Sequence, residues 1–179
     1  AGNAYARWFA DELFPLSPAH GPDGALNTVA PVYGDVGTLA RPLGSYRIHG
    51  RNLWSNTATD VARLPERIEQ RSAEAELMRR HAERRGVDVP SGSVLDHEIA
   101  FVNYRMMAKA LGIAYGGSAQ ESRSKLLRQA LRVLRAERYP AQLSLAHAAW
   151  FSALAMAPRA SAERLISARF SRNYRQQGA

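Results

Sequence analysis

From residue 57 onward, apolar residues recur every three or four positions, a spacing that predicts a succession of helices. Val61, Leu64 and Ile68 open a stripe that Leu77 and Met78 resume, giving one long charged helix over 60–85. Pro65 lies near its start, where it can kink the helix, and Gly86 and Pro90 close it. Leu95, Ile99, Val102 and Met106 share a face of a second helix, capped by Ser93 and running to Leu111. Gly112, Gly116 and Gly117 interrupt the pattern. It resumes over 119–138 and 141–157, and after Pro158 over 161–170, with a frayed tail from Ser171.

Residues 1–56 read differently, with more Gly, Pro and aromatic residues and shorter apolar runs. Helix is predicted over 4–13 with Asn3 as its N-cap, ended by Pro15 and Pro18. A second helix is predicted over 23–32, with Pro22 near its first turn. Two short strands fit 35–40 and 45–49 around a turn at 41–44. The expected fold is α+β and mainly α, with residues 1–56 as one region and a helical bundle or tail over 57–179.

Composition narrows the classes. The 179 residues include no cysteine, which excludes disulfides and thiolate zinc sites. The apolar helical run 141–157, bounded by Pro140 and Pro158, falls short of the roughly 20 residues of a membrane span and contains Gln142, Ser144, His147 and Ser152. The net charge is +8, and Lys109 and Lys125 are the only lysines. A basic surface favours nucleotide phosphates, anionic lipids or nucleic acid. No helix-turn-helix, RNA-binding aromatic signature or zinc pattern accompanies the charge, so nucleic acid is not expected. The glycines of 112–117 lack the lysine and flanking strand of a phosphate-binding loop.

The most specific stretch is PDGALNTVAPVYGDVGTLARPLGSYRIHGRN, residues 22–52, ending in Tyr46, Arg47, Ile48, His49, Gly50, Arg51 and Asn52. It resembles a segment of the family-2, GT-A type bacterial glycosyltransferases, in which an acid opens an apolar helix and a Tyr-Arg-x-His-Gly-x-Asn signature follows. Gly2-Asn3-Ala4-Tyr5 and Leu13-Phe14-Pro15 look like the acceptor-side loop and helix before that acid. The resemblance is good over 1–56 and looser beyond, where Pro158-Arg159 fits it.

It implies the carboxy-terminal end of a GT-A α/β domain, whose two short strands lead into helices. It also implies transfer of a sugar from a nucleotide-sugar donor to a glycan or lipid-linked acceptor of the cell envelope. Asp23 stands where the family places the base that takes the acceptor's proton. His49 stands where some relatives ligate a divalent metal, Mg or Mn, or contact the diphosphate. Arg47, two residues away on the same strand face, and Asn52 fall among the substrate-binding positions. The expected location is cytoplasmic, at the inner face of the plasma membrane. Two departures stand out. The family often carries two acids where this chain has Asp23 followed by Gly24, and no Asp-x-Asp metal motif occurs. The donor-binding half is therefore expected elsewhere in a longer enzyme, with the metal, and the isolated chain is expected to be inactive.

Plainer roles stay open beside these. Asp23 suits a helix N-terminus electrostatically without any catalysis. His49 reads equally as a hydrogen-bonded turn histidine, Arg47 as an ion-pair partner and Asn52 as a turn cap. His20 is close enough in sequence to Asp23 to join its cleft. Asp96, His97 and Glu98 are consecutive and point about 100° apart on a helix, so one metal ion is not readily shared. Lys125, Arg128, Arg132 and Arg135 form a basic helical stripe, and Trp150, Phe151 and the last helix add aromatics and arginines. An alternative reading is a non-catalytic basic module that binds an anionic membrane surface or a protein partner.

Overall fold

The computed structural model describes residues 3–17, 19–37, 39, 58–89, 94–137 and 139–176, without the side chains of 58–60 and 170–176. Seven α-helices are described: α1 (Arg7–Leu13), α2 (Pro22–Tyr33), α3 (Leu64–Arg85), α4 (Ile99–Leu111), α5 (Arg123–Ala136), α6 (Ala141–Met156) and α7 (Arg159–Gln176). Short 3₁₀ turns at Ala58–Arg63, Val94–His97 and Ser118–Gln120 precede α3, α4 and α5.

The expected α+β fold is corrected to an all-α one, with no strand among the described residues. After α2 ends at Gly34, residues 35–37 and 39 are irregular, and Val36 and Leu39 stand exposed. A strand exists only when its backbone pairs with a neighbour, and none is described beside this segment. The second expected strand, 45–49, lies outside the described residues.

Helix boundaries follow local chemistry. Asn3 does not cap α1, which starts at Arg7 behind Ala6 without a side-chain cap. Its amide instead reaches α2. Pro65 sits in the first turn of α3, where a missing N–H costs little, and the 3₁₀ turn supplies the preceding residues. The helix expected from Ser93 divides at Glu98, whose extended backbone separates a 3₁₀ turn from α4. Gly112 ends α4 in the left-handed region that glycine tolerates, and the Ile113 N–H returns to the Ala108 carbonyl at 2.9 Å. Ser122 caps α5 by accepting from the Lys125 N–H at 3.1 Å, so the helix begins at Arg123 rather than near 119. Beyond Pro158, α7 runs to Gln176, well past the expected end at Phe170.

The chain divides into two compact units: residues 1–55 with 70–91, and residues 56–69 with 92–179. The greater part of α3 thus belongs with α1 and α2. Phe9, Leu13, Ala25, Leu26 and Val29 form the core of the first unit, and Leu77 and Met78 of α3 pack against it. In the second unit α4 is central and packs on α5, α6 and α7. It buries Phe101, Val102, Met106 and Met107 against residues such as Leu126, Phe151 and Leu154. Arg123 ties two helix ends together, donating to the carbonyls of Ala157 at 2.6 Å and Ala110 at 3.0 Å. Among the described residues, no helix is long and apolar enough to cross a membrane.

Candidate functional site

Asp23 is exposed in the first turn of α2, directly after Pro22 at the first helical position. Gly21, the N-cap, has extended backbone and supplies no side-chain cap. The free N–H groups and dipole of the helix start favour a carboxylate there. One turn later, Asn27 receives two hydrogen bonds on Oδ1, from Asn3 Nδ2 at 3.1 Å and from the Tyr5 hydroxyl at 2.7 Å. Residues four apart share a helix face. Asp23 and Asn27 therefore lie on one side of α2, with the segment 3–5 held against it. Burial raises the Tyr5 hydroxyl pKa and the nearby Asp23 charge adds to the rise, against the opposing Asn3 hydrogen bond. Tyr5 thus remains a neutral donor beside an exposed carboxylate.

A different side of the α2 start meets α3. Glu74 is only 4% exposed, accepts from Gln70 Nε2 at 2.9 Å, and pairs with Arg71 Nη1 at 3.2 Å. Arg71 also donates to Thr28 Oγ1 of α2 at 2.6 Å. A Cβ on Gly24 would fall within the Glu74 carboxylate, and one on Gly21 within the Gln70 amide. The two glycines thereby let a buried carboxylate lie against the first turn of α2, where the helix dipole also favours it. Glu74 therefore packs against Gly24, the residue that follows Asp23.

His20 is half-buried three residues before Asp23. Neither ring nitrogen is in contact with solvent or finds a hydrogen-bond partner among the described residues. At the other end of α2, His81 is 3% exposed, with Nδ1 2.7 Å from the Tyr33 hydroxyl and Nε2 2.8 Å from Arg84 Nη2. A guanidinium only donates, so Nε2 accepts and the proton of the neutral ring sits on Nδ1, directed at the Tyr33 oxygen. Burial first, then the charges of Arg84 and Arg80, lower the His81 pKa, and Glu12 opposes them. The Arg85 guanidinium lies 5.0 Å over the Tyr33 ring. His81 therefore links α3 to the end of α2 in its uncharged form.

In the second unit, Asp96, noted in the sequence, belongs to a structural network. Arg105, nearly buried, donates twice to Glu121, which also accepts from the Tyr115 hydroxyl. Asp96 lies 3.6 Å from Arg105 and accepts from Gln129 at 2.7 Å. Burial first, then the hydrogen bond to Glu121, push the Tyr115 pKa well up. Asp96, itself exposed, thereby serves as an acceptor for Gln129 and a charge partner for Arg105. His97 is an exposed neighbour. Trp150 donates to Asn103 at 2.7 Å and carries Arg169 4.4 Å over its ring, while Phe151 is fully buried. Phe151 is thus part of the core of the bundle, and Trp150 is held by α4 and α7.

Of the sequence-predicted site residues, Asp23 and His20 fall at the start of α2. Arg47, His49 and Asn52 lie outside the described residues, as does their expected cleft with Asp23. Among the described residues, no three of His, Asp and Glu gather as metal ligands. Sequence reading missed Asn27, Gln70 and Glu74. The spacing of Gly21 and Gly24 around Asp23 was the available signal, because two glycines on one side of a helix start invite a close neighbour. Comparison of the chain with family models, curated proteins and solved structures returned no match.

Proposed function

We propose that the chain forms the acceptor-side, carboxy-terminal part of an inverting family-2-like glycosyltransferase, with Asp23 as its general base. The observation that carries the reading is an exposed carboxylate at the start of α2, beside the Asn3–Tyr5–Asn27 cluster. In this reading Asp23 accepts the proton of an acceptor hydroxyl as that oxygen attacks the anomeric carbon. The bond to the nucleotide diphosphate breaks with its electrons leaving on the phosphate oxygen. Tyr5 and Asn27 offer polar contacts to the acceptor, a glycan or lipid-linked sugar. Arg47 and Asn52 act on the substrate side and His49 at the diphosphate end. A divalent metal, Mg or Mn, would supply charge to the leaving group in the full-length enzyme. The reaction would take place in the cytoplasm, at the inner face of the plasma membrane.

The coding sequence upstream of Ala1 tests the class. An Asp-x-Asp motif following several β-α units is expected, and an upstream frame without one overturns the reading. In the full enzyme, Asp23→Asn is expected to abolish turnover while sparing donor binding. Retained turnover removes Asp23 from the base role. The 179-residue chain alone is expected to bind no nucleotide sugar in calorimetry, and micromolar binding would refute the assignment of donor recognition to another part of the enzyme.

A further inference from the structure

The net charge of the protein is concentrated in its last third. Residues 122–179 hold eleven Lys and Arg against two Glu, a net +9, whereas residues 1–121 hold thirteen against fourteen acids. Some of these cations are committed internally: Arg123 to two carbonyls, Arg159 to Glu163 at 3.1 Å and Arg169 to Trp150. The four on α5 are different. Lys125, Arg128, Arg132 and Arg135 are all exposed, share one face, and have no acidic partner among the described residues. The opposite face of α5 buries Leu126, Ala130, Val133 and Leu134. This helix therefore holds four like charges outward over about three turns, a costly arrangement without counter-charge.

Its neighbour α6 carries the complementary feature. Leu145 is 71% exposed and Met156 83% exposed. Eleven residues apart, they fall within about 20° of each other on the helix, with Ala149 and Ser152 between them. This outward stripe contains no charge, and α6 has no charged residue at all. Its other side is filled by Phe151 and Leu154, so the stripe is not a core face.

We infer that the outer surfaces of α5 and α6 dock on an anionic lipid surface, the α5 cations meeting headgroups and the α6 stripe entering the interface. Charge complementarity selects the sign of the partner, and the exposed apolar side chains on the adjoining helix select lipid over a polyanion that offers only phosphates. Each cation close to such a surface strengthens binding about fivefold, and salt screens the attraction. The inference stands independently of the transferase reading, since it uses none of the residues assigned to the reaction.

Co-sedimentation with vesicles tests it, using phosphatidylglycerol mixed into phosphatidylcholine, phosphatidylcholine alone, and a DNA duplex as a competing polyanion. Binding to the anionic vesicles, weakened by salt and absent with phosphatidylcholine, is expected. Arg128→Gln with Arg132→Gln should weaken it roughly 25-fold, the product of two cations. Leu145→Asn with Met156→Asn should also weaken it, at unchanged helix content by circular dichroism. No binding to anionic vesicles overturns the proposal. So does vesicle binding that ignores the Leu145 and Met156 changes, and so does DNA binding that equals vesicle binding, since either marks a plain polyanion surface. A melting temperature close to that of the parent chain shows that each variant is folded when it is read.

Discussion

Arginine is used in two ways in this molecule, and α3 and α5 set them side by side. On α3, arginines lie one turn from acids. Arg63 pairs with Glu66 just before and within its first turn, Arg71 with buried Glu74, and Arg79 with both Glu76 and Glu83. Local pairing lowers repulsion along the helix, and where Glu74 is buried it also joins α3 to α2. On α5 the same residue type stands without acids over three turns, and the opposite face packs into the bundle. Paired arginines serve the fold, whereas Arg128, Arg132 and Arg135 stand exposed with no acidic partner among the described residues.

The comparison breaks most sharply where a charge is buried. Glu121→Ala should cost the second unit about 3–5 kcal/mol, because Arg105 would stay nearly buried with only Asp96, at 3.6 Å, nearby. Urea unfolding measures this, and a loss below about 1 kcal/mol would show that the pair is not structural.

Gly24→Ala comes next. The added methyl would displace Glu74 from Gln70 and Arg71, at a cost of about 1–3 kcal/mol. The same unfolding curve reads it. An unchanged curve would mean that the carboxylate moves aside freely.

Acid should act through His81. Its folded pKa lies below its unfolded value of about 6.5, so the unfolded chain binds the proton first. The contribution is fully present above pH 6.5 and falls as the pH drops from there toward the folded pKa. His81→Gln should flatten the stability profile in that window. A profile equally steep in the variant would assign the dependence to other groups.

The smallest effect is expected on α5. Arg128→Gln with Arg132→Gln should shift the melting temperature by less than about 2 °C, since exposed positions contribute little to stability. A large drop would place these arginines among the structural ones and erase the contrast with α3.

Sequence alone determined most of the helices, because apolar spacing of three to four residues creates one buried stripe whatever it packs against. Val102 and Met106 on α4 and the amphipathic α5 are clear cases. Gly112 and Pro158 were legible as breaks for equally local reasons, one a left-handed backbone and the other a missing N–H. Asp23 was legible as the exposed acid opening α2. The expected strand over 35–40 failed because pairing is non-local, and a few alternating residues cannot announce whether a partner will be present. Asn3 failed as a cap because its amide found Asn27, 24 residues away. Tertiary structure alone decided that Glu74 lies buried against Gly24, that Trp150 turns inward to Asn103, and that Leu145 and Met156 remain outside. Each depends on which helix faces are covered by neighbours distant in sequence, and a periodic pattern contains no information about the neighbour.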